Sequence, residues 1–150
     1  MKTKILVSAC LLGECCKYSG GNNKNDAVIG LSEYFELIPV CPECFGGLPV
    51  PREPSEIKNG RVYSKSGDDV TDNFISGAEQ TLYIAKECNC PAAVLKERSP
   101  SCGFGEIYDG SFKGIICNGN GITADLLYKN DIQIFGEGNV KKLIDLYYFD

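Results

Sequence analysis

Nine cysteines in a chain without histidine identify the side chains that could do chemistry. Three of them, Cys10, Cys41 and Cys102, each follow a different predicted β-strand. In parallel α/β folds, ligands bind beyond the carboxyl ends of the strands, so the three thiols are expected to converge at that edge of the sheet. Three soft thiolates without imidazole favour an iron–sulfur cluster over a mononuclear catalytic zinc site.

The second of these cysteines opens the sequence Cys41-Pro42-Glu43-Cys44. A Cys-x-x-Cys after a strand has two interpretations: a metal ligand, or a thioredoxin-like pair in which Cys41 and Cys44 cycle through a disulfide. Glu43 could act as a general base toward a water or a substrate, since no histidine is available. Without the neighbouring cysteines, Glu43 would be interpreted as a solvated loop carboxylate.

Hydroxyl side chains accompany the third cysteine, in Ser99-Pro100-Ser101-Cys102. Ser99 and Ser101 could orient a water or donate hydrogen bonds to cluster sulfur. The simpler interpretation is turn chemistry, because serine and proline favour turns.

The remaining cysteines are weaker candidates. Cys15 and Cys16 are adjacent, so at most one of them is expected to face the site. Cys88 and Cys90 lie between a predicted helix and the third strand, at the opposite end of the sheet. Cys117 lies beside a glycine-rich loop and is also expected to play no part in the site.

Four short apolar segments bounded by turn residues predict the buried strands that position these residues. They cover residues 4–9, 35–40, 92–96 and 131–135. The spacing of apolar residues predicts helices over 26–34, 71–87, 122–129 and 139–147. Asn-Gly at 59–60 and Asp-Gly at 109–110 predict hairpins over 57–63 and 106–112.

Strands that alternate with helices predict an α/β fold with right-handed crossovers. We expect a single-domain, Rossmann-like layered fold over residues 1–150. Its central, mostly parallel sheet would have about four strands flanked by helices, and a small β-hairpin excursion would cover one end. Pro39 indicates that the second strand ends there or lies near an edge of the sheet, because proline cannot donate a hydrogen bond to a neighbouring strand.

Charge and hydropathy limit the partners. The formal net charge of −5 argues against nucleic acid or an anionic membrane as the main partner. No apolar segment has the length of a membrane span, and no secretory leader precedes the first strand, so a cytoplasmic protein is expected. Thiols stay reduced in that compartment, which favours metal binding or redox chemistry over structural disulfides.

Several motifs together resemble the bacterial thiouracil desulfurase family. They are Ser-Ala-Cys-Leu-Leu-Gly at 8–13 with Cys16, Cys-Pro-Glu at 41–43, Gly-Gly-Leu-Pro-Val-Pro-Arg at 46–52, Asp-Val-Thr at 69–71, Ser-Pro-Ser-Cys-Gly at 99–103 and Gly-Asn-Gly-Ile-Thr-Ala at 119–124. The resemblance extends over nearly the whole chain, and it is specific because the motifs occur as one ordered set.

The resemblance implies non-redox desulfuration of a small thiolated heterocycle, a pyrimidine such as thiouracil, to its oxo form. It also implies a [4Fe–4S] cluster that is held by only three cysteines and whose open iron binds the leaving sulfur. Four matching cysteines are available for the three places. Cys10, Cys41 and Cys102 are favoured because each follows a different strand, and Cys16 is the reserve candidate.

In the same reaction, Glu43 together with Ser99 or Ser101 would position the water that attacks the carbon. Two other functions stay open at this point. One is a thiol–disulfide redox protein that uses Cys41 and Cys44. The other is a protein in which cysteines hold a structural zinc ion or a cluster used for sensing.

Overall fold

Four parallel strands form the centre of the fold, and helices cover both faces of their sheet. The computed structural model describes residues 2–148. The strands are β1 (Lys4–Ser8), β2 (Glu36–Val40), β3 (Ser55–Lys58), β4 (Arg61–Ser64), β5 (Ala92–Leu95), β6 (Glu106–Tyr108), β7 (Ile116–Asn118) and β8 (Gln133–Gly136). The α-helices are α1 (Asp26–Ile29), α2 (Pro42–Phe45), α3 (Thr71–Glu87), α4 (Ile122–Lys129) and α5 (Val140–Tyr147), and 3-10 turns cover Ala9–Leu12, Gly30–Glu33 and Glu137–Asn139. None of the helices in this part of the chain is both long and apolar enough to cross a membrane.

The central sheet has the strand order β2–β1–β5–β8, and each neighbouring pair is parallel. This arrangement confirms the predicted α/β architecture. Within residues 2–148, β2 pairs only with β1 and so lies at the edge of the sheet, one of the two positions that Pro39 indicates. Because all four strands run in one direction, the loops that follow β1, β2 and β5 all leave the sheet at the carboxyl ends of the strands.

Alternation of side chains along β1 divides the core into two layers. Leu6 packs with Ala85 of α3 and Leu127 of α4. On the opposite face, Val7 packs with a layer that includes Leu143 of α5. Apolar side chains on both faces fix the strand register, since a shift by one residue would exchange the two layers.

Most predicted elements are present, with small differences at their ends. α3 and α4 begin and end where the sequence predicts, and β3 and β4 form the hairpin with Asn59-Gly60 as its turn. The first predicted helix is shorter, because α-helical bonding ends at Ile29 and a 3-10 turn continues to Glu33. The last strand begins at Gln133 rather than at 131.

The second predicted hairpin, over 106–112, is wrong. β6 pairs with β7 instead, so a longer loop replaces the predicted two-residue turn at Asp109 and Gly110. A residue of another element causes the difference. Glu56 Oε1 accepts hydrogen bonds from the amides of Gly110 and Phe112, at 3.0 and 3.1 Å. These amides are held against β3, and they do not close a tight hairpin.

The short helix α2, which begins directly after Cys41, packs very closely against α3. A β-carbon on Gly77 would overlap the carbonyl oxygen of Pro42. One on Gly46 would overlap the carbonyl oxygen of Asn73, whose side-chain Nδ2 donates a hydrogen bond to Gly46 O at 2.9 Å. The two glycines therefore fix the place of α2, and with it the place of Cys41.

Gly77→Ala is expected to lower the free energy of unfolding by about 1–3 kcal/mol, because the added methyl group meets backbone that cannot rotate away. The helix propensity of alanine, about 1 kcal/mol better than that of glycine, offsets only part of this loss. Urea denaturation measures the change. Gly30→Ala is the matched control, because its added β-carbon would meet no atom of residues 2–148 within 4 Å apart from its chain neighbours and its own helix. Equal effects of the two substitutions would contradict this account of the packing.

Candidate active site

The loops after β1, β2 and β5 border one cavity of about 540 Å³. Cys10 lies in the 3-10 turn after β1, Cys41 lies between β2 and α2, and Cys102 lies in a turn after β5. All three side chains line the cavity. The structure thus brings together the three thiols that the sequence places at separate strand ends.

The thiols of Cys10 and Cys102 are protonated when free but have hydrogen-bond donors beside them. Burial raises the pKa of Cys10, and Asn23 Nδ2, which donates to Cys10 Sγ at 3.4 Å, opposes that shift. Burial raises the pKa of Cys102 to about 12, although a hydrogen bond from Ser8 stabilises its thiolate. A metal that binds these sulfurs must therefore displace protons, after which the donors remain to stabilise the thiolates.

Cys41 lies between two further cysteines. The thiol of Cys16 hydrogen-bonds to that of Cys41, so the pKa of Cys41 is lowered and the pKa of Cys16 is raised. Burial raises the pKa of Cys44 to about 11, and its thiol also hydrogen-bonds to Cys41. Cys16 lines the cavity, whereas its neighbour Cys15 is exposed.

The loop that carries Cys102 is held by main-chain hydrogen bonds from a segment later in the chain. The amides of Gly121 and Thr123 donate to the carbonyl oxygens of Gly103 and Ser101, at 2.6 and 2.9 Å. A β-carbon on Gly121 would overlap the backbone of Ser101, so only glycine allows this close approach. The Gly-Asn-Gly-Ile-Thr-Ala motif therefore acts as a backbone clamp, which we define as residues 119–124.

Glu43, Ser101 and Ser99 form a hydrogen-bonded chain inside the cavity. Ser101 Oγ donates to Glu43 Oε2 at 2.9 Å. Ser99 Oγ lies 3.0 Å from Ser101 Oγ and accepts hydrogen bonds from the amides of Ser101 and Cys102. Both lone pairs of Ser99 are then occupied, so its proton points toward Ser101. These hydrogen bonds therefore run in one direction: Ser99 donates to Ser101, and Ser101 donates to the carboxylate.

Arg52 completes this network and was not singled out from residue types. Its Nε donates to Glu43 Oε1 at 3.1 Å, and the two side chains are only 8% and 15% exposed. Its Nη1 and Nη2 donate to the carbonyl oxygens of Pro49 and Cys16, at 3.1 and 2.9 Å. Glu43 is therefore not a solvated loop carboxylate. The sequence contained one signal for this role of Arg52. The arginine ends a proline-rich segment that lies close to an acidic residue and to cysteines.

Lys96, directly after β5, is a further cation that lines the cavity. Its Nζ lies 2.9 Å from Glu137 Oε2 and donates to the carbonyl oxygen of Glu97 at 3.1 Å. The charge of Lys96 also favours the thiolate of Cys10. Lys96 and Arg52 are thus two of the cations that line the cavity, and each is paired with a carboxylate.

Arg52→Lys is expected to lower the free energy of unfolding by about 2–4 kcal/mol although the charge is kept. An ammonium group cannot reach Glu43, Pro49 and Cys16 at once, so buried acceptors lose their partner. Denaturant unfolding measures the loss. Arg61→Lys is the matched control, because the ion pair of Arg61 with Asp69 is exposed and such pairs contribute about 0–1 kcal/mol. A loss no larger than that of the control would contradict the role given to Arg52.

The other cysteines lie away from the cavity. Cys88 follows α3, and Cys90 is buried in the core layer of α3 and α4. The charges of Lys4 and Glu36 act on Cys90, which places it near the amino ends of β1 and β2. Cys117 is exposed in β7.

Known proteins that resemble this chain agree on its family. The family model for 2-thiouracil desulfurase matches residues 5–139. The uncharacterized protein YbbK of Bacillus subtilis (strain 168) is 39% identical, and the match covers 93% of this chain and 99% of that protein. A solved structure of the [4Fe-4S]-dependent thiouracil desulfidase TudS is 41% identical, with a TM-score of 0.91 over 97% of each chain. The resemblance found in the motifs is confirmed, and the chain belongs to the 2-thiouracil desulfurase family.

Proposed function

We propose that this enzyme hydrolyses the carbon–sulfur double bond of a thiolated pyrimidine, which yields the oxo pyrimidine and hydrosulfide. Membership of the 2-thiouracil desulfurase family and the likeness to a [4Fe-4S]-dependent thiouracil desulfidase support desulfuration with such a cluster. One observation carries the proposal. The carboxylate of Glu43, hydrogen-bonded to Ser101, lies in the same cavity as the three thiols at the strand ends.

Cys10, Cys41 and Cys102 fit the requirements of a [4Fe–4S] cluster. They come from three separate loops around one cavity, so each thiolate can bind a different iron. Asn23 Nδ2 lies 3.4 Å from the sulfur of Cys10, and the hydroxyl of Ser8 hydrogen-bonds to Cys102, so each of these two thiolates has a donor beside it. With three protein ligands, the bound cluster supplies one open iron as a Lewis acid for the sulfur of the substrate.

Cys16 is assigned a supporting role and is not counted as a ligand. Cys41 Sγ donates to the carbonyl oxygen of Cys16 at 3.9 Å, so Cys16 accompanies Cys41, whereas Cys10, Cys41 and Cys102 each follow a different strand. The carbonyl oxygen of Cys16 accepts a hydrogen bond from Arg52, which holds the residue in place. Cys16 is then a donor to the Cys41 thiolate and lowers the charge density on that ligand.

Glu43 takes a proton from the attacking water. Each of its oxygens accepts one hydrogen bond, from Arg52 or from Ser101, and keeps a second lone pair for a water. The water oxygen forms a bond to the carbon that carries the sulfur, while its proton passes to the carboxylate. The remaining water proton passes from the hydroxyl of the adduct to the sulfur as the carbon–sulfur bond breaks, and the electron pair of that bond leaves with the sulfur as hydrosulfide. Glu43 then releases its proton to solvent. The water oxygen becomes the new carbonyl oxygen, and no net oxidation or reduction occurs.

Turnover of 2-thiouracil in water labelled with oxygen-18 tests the proposal. We expect protein loaded with its cluster under anaerobic conditions to form uracil that carries one labelled oxygen, with an equal amount of hydrosulfide. The loaded protein should contain roughly four irons and four acid-labile sulfides per chain. Protein that stays colourless after cluster reconstitution, or loaded protein that releases no sulfide from thiolated pyrimidines, would contradict the proposal.

Cys44 distinguishes this function from thiol–disulfide exchange. A redox pair needs both Cys41 and Cys44. Desulfuration does not use the Cys44 thiol, so Cys44→Ser should release sulfide about as fast as the unchanged protein. If Cys44→Ser abolishes activity while the cluster stays bound, the redox function is favoured.

A further inference from the structure

Three aromatic side chains, Tyr18, Tyr108 and Phe112, line the same cavity as the cysteines. Phe112 differs from the other two because its backbone is in the left-handed region, with a φ of 58°. Bulky residues rarely adopt this conformation, and it persists where the surrounding structure imposes it, commonly at functional sites. The cause of the unusual φ therefore bears on what Phe112 does.

Glu56 of β3 imposes the conformation of this loop. Glu56 Oε1 accepts hydrogen bonds from the amides of Gly110 and Phe112, at 3.0 and 3.1 Å. The amide between them, that of Ser111, donates instead to Asp109 Oδ1 at 2.9 Å. Successive amides therefore point alternately to Glu56 and to Asp109, which turns the chain and holds Phe112 in the left-handed region.

The loop is also packed tightly against the hairpin of β3 and β4. Gly110, with a φ of 94°, is so close that a β-carbon would lie 2.7 Å from Lys58 Cβ. The amide of Asp109 donates to the carbonyl oxygen of Ile115 at 2.9 Å. All four amides from 109 to 112 thus have protein partners. The backbone that carries the ring of Phe112 is set by these contacts.

We propose that Phe112 is the surface on which the planar ring of the substrate stacks, and that Glu56 is the positioning residue that holds Phe112 there. The proposal rests on the proposed desulfurase function, whose substrate is a flat conjugated heterocycle. An aromatic ring without polar atoms recognises the π face of a ligand and tolerates different ring substituents. Stacking leaves the edge of the substrate, with its sulfur, free for the polar side chains of the cavity.

Steady-state kinetics with 2-thiouracil provide the first test. Phe112→Ala is expected to raise KM by roughly 5- to 150-fold, the range that alanine substitution of stacking residues covers. The value of kcat should stay nearly constant, because stacking stabilises the ground state and the transition state alike. Phe112→Tyr should restore the original KM, whereas Phe112→Leu, which keeps apolar area without a π face, should not.

Substrate planarity separates stacking from simple closure of the cavity. The saturated analogue 5,6-dihydro-2-thiouracil has the same thioamide groups on a puckered ring. Phe112→Ala should therefore raise KM for 2-thiouracil much more than for the dihydro compound. Equal increases for both compounds would overturn the stacking proposal.

Binding can also be observed directly, because the chain contains no tryptophan. In Phe112→Trp, addition of 2-thiouracil or uracil to the loaded protein is expected to quench the fluorescence with a saturable dependence on concentration. Tyr83→Trp is the control, because Tyr83 is 56% exposed on α3 and does not line the cavity. Identical responses of the two variants would contradict the proposal.

The role of Glu56 follows from a comparison of single and double variants. Glu56→Ala should raise KM as Phe112→Ala does, and the double variant should be no worse than Phe112→Ala alone, since Glu56 acts through Phe112. Glu56→Gln keeps an oxygen that can accept both amides and should restore most of the affinity. Additive effects would overturn the positioning role. If the unchanged protein desulfurates 2-thiouracil and Phe112→Ala leaves KM unaltered, the stacking inference alone fails.

Discussion

Glu43→Gln is expected to lower kcat for sulfide release by about 10²- to 10⁴-fold, while the cluster content stays nearly unchanged. Glutamine has the size of glutamate, and its amide oxygen can still accept a hydrogen bond from Arg52 or Ser101. It cannot take a proton from water, so the substitution removes the base. It also removes the charge that pairs with Arg52 and leaves one acceptor oxygen for two donors, which is why the cluster content is measured on the same sample. Steady-state kinetics with 2-thiouracil measure kcat, and an iron assay on the same sample measures the cluster.

Glu36→Gln is the matched control for this prediction. Glu36 is an exposed carboxylate of β2 whose only ion pair is a long contact of 3.9 Å with Lys4, among the residues that the structure describes. Its replacement should leave kcat unchanged. If Glu43→Gln retained normal kcat, Glu43 would not be the base. If the variant lost iron, the residue would serve to build the site.

Serine in place of Cys10, Cys41 or Cys102 is expected to abolish stable binding of the cluster and with it all sulfide release. A serine hydroxyl is a harder and far less ionised ligand than a thiol, and the proposed site has only three protein ligands to share the loss. The fold should remain, because all nine cysteines are free and none contributes a disulfide. Visible absorbance with iron and acid-labile sulfide assays measures the cluster, and far-UV circular dichroism measures the fold.

Cys117→Ser and Cys16→Ser complete this experiment. Cys117 is exposed in β7, so its replacement should leave the full cluster content. Cys16→Ser should also retain the cluster, because the residue is a donor to Cys41 in our assignment. Loss of the cluster in Cys16→Ser together with its retention in Cys41→Ser would contradict the ligand set proposed here.

The sequence predicted what depends on strand order and burial. β1 and β5 are recognisable as apolar segments because helices cover both faces of the sheet. Once these strands are parallel, the residues that follow them must meet at one edge, which is why the shared cavity of Cys10, Cys41 and Cys102 could be expected. The roles given to these side chains in catalysis stay predictions until they are tested.

Contacts between remote elements could not be predicted from the residues alone. Asp-Gly at 109–110 is a strong turn signal, but Glu56 captures the amides on either side of Ser111 and the loop opens. The network of Arg52 with Glu43 also depends on which groups the fold brings together. A buried guanidinium requires acceptors, yet composition and periodicity do not specify which carbonyl groups and which carboxylate will lie within reach.

The backbone clamp at residues 119–124 has a consequence for the timing of cofactor delivery. A ribosome releases this segment long after Cys10 and Cys41, and β8 emerges later still to become the second neighbour of β5. Before then the Cys102 loop lacks the hydrogen bonds that define its position, so a nascent chain would offer an incomplete set of the three ligands proposed here. With that ligand set, we expect cluster delivery to follow nearly complete translation, with an already folded polypeptide as the acceptor.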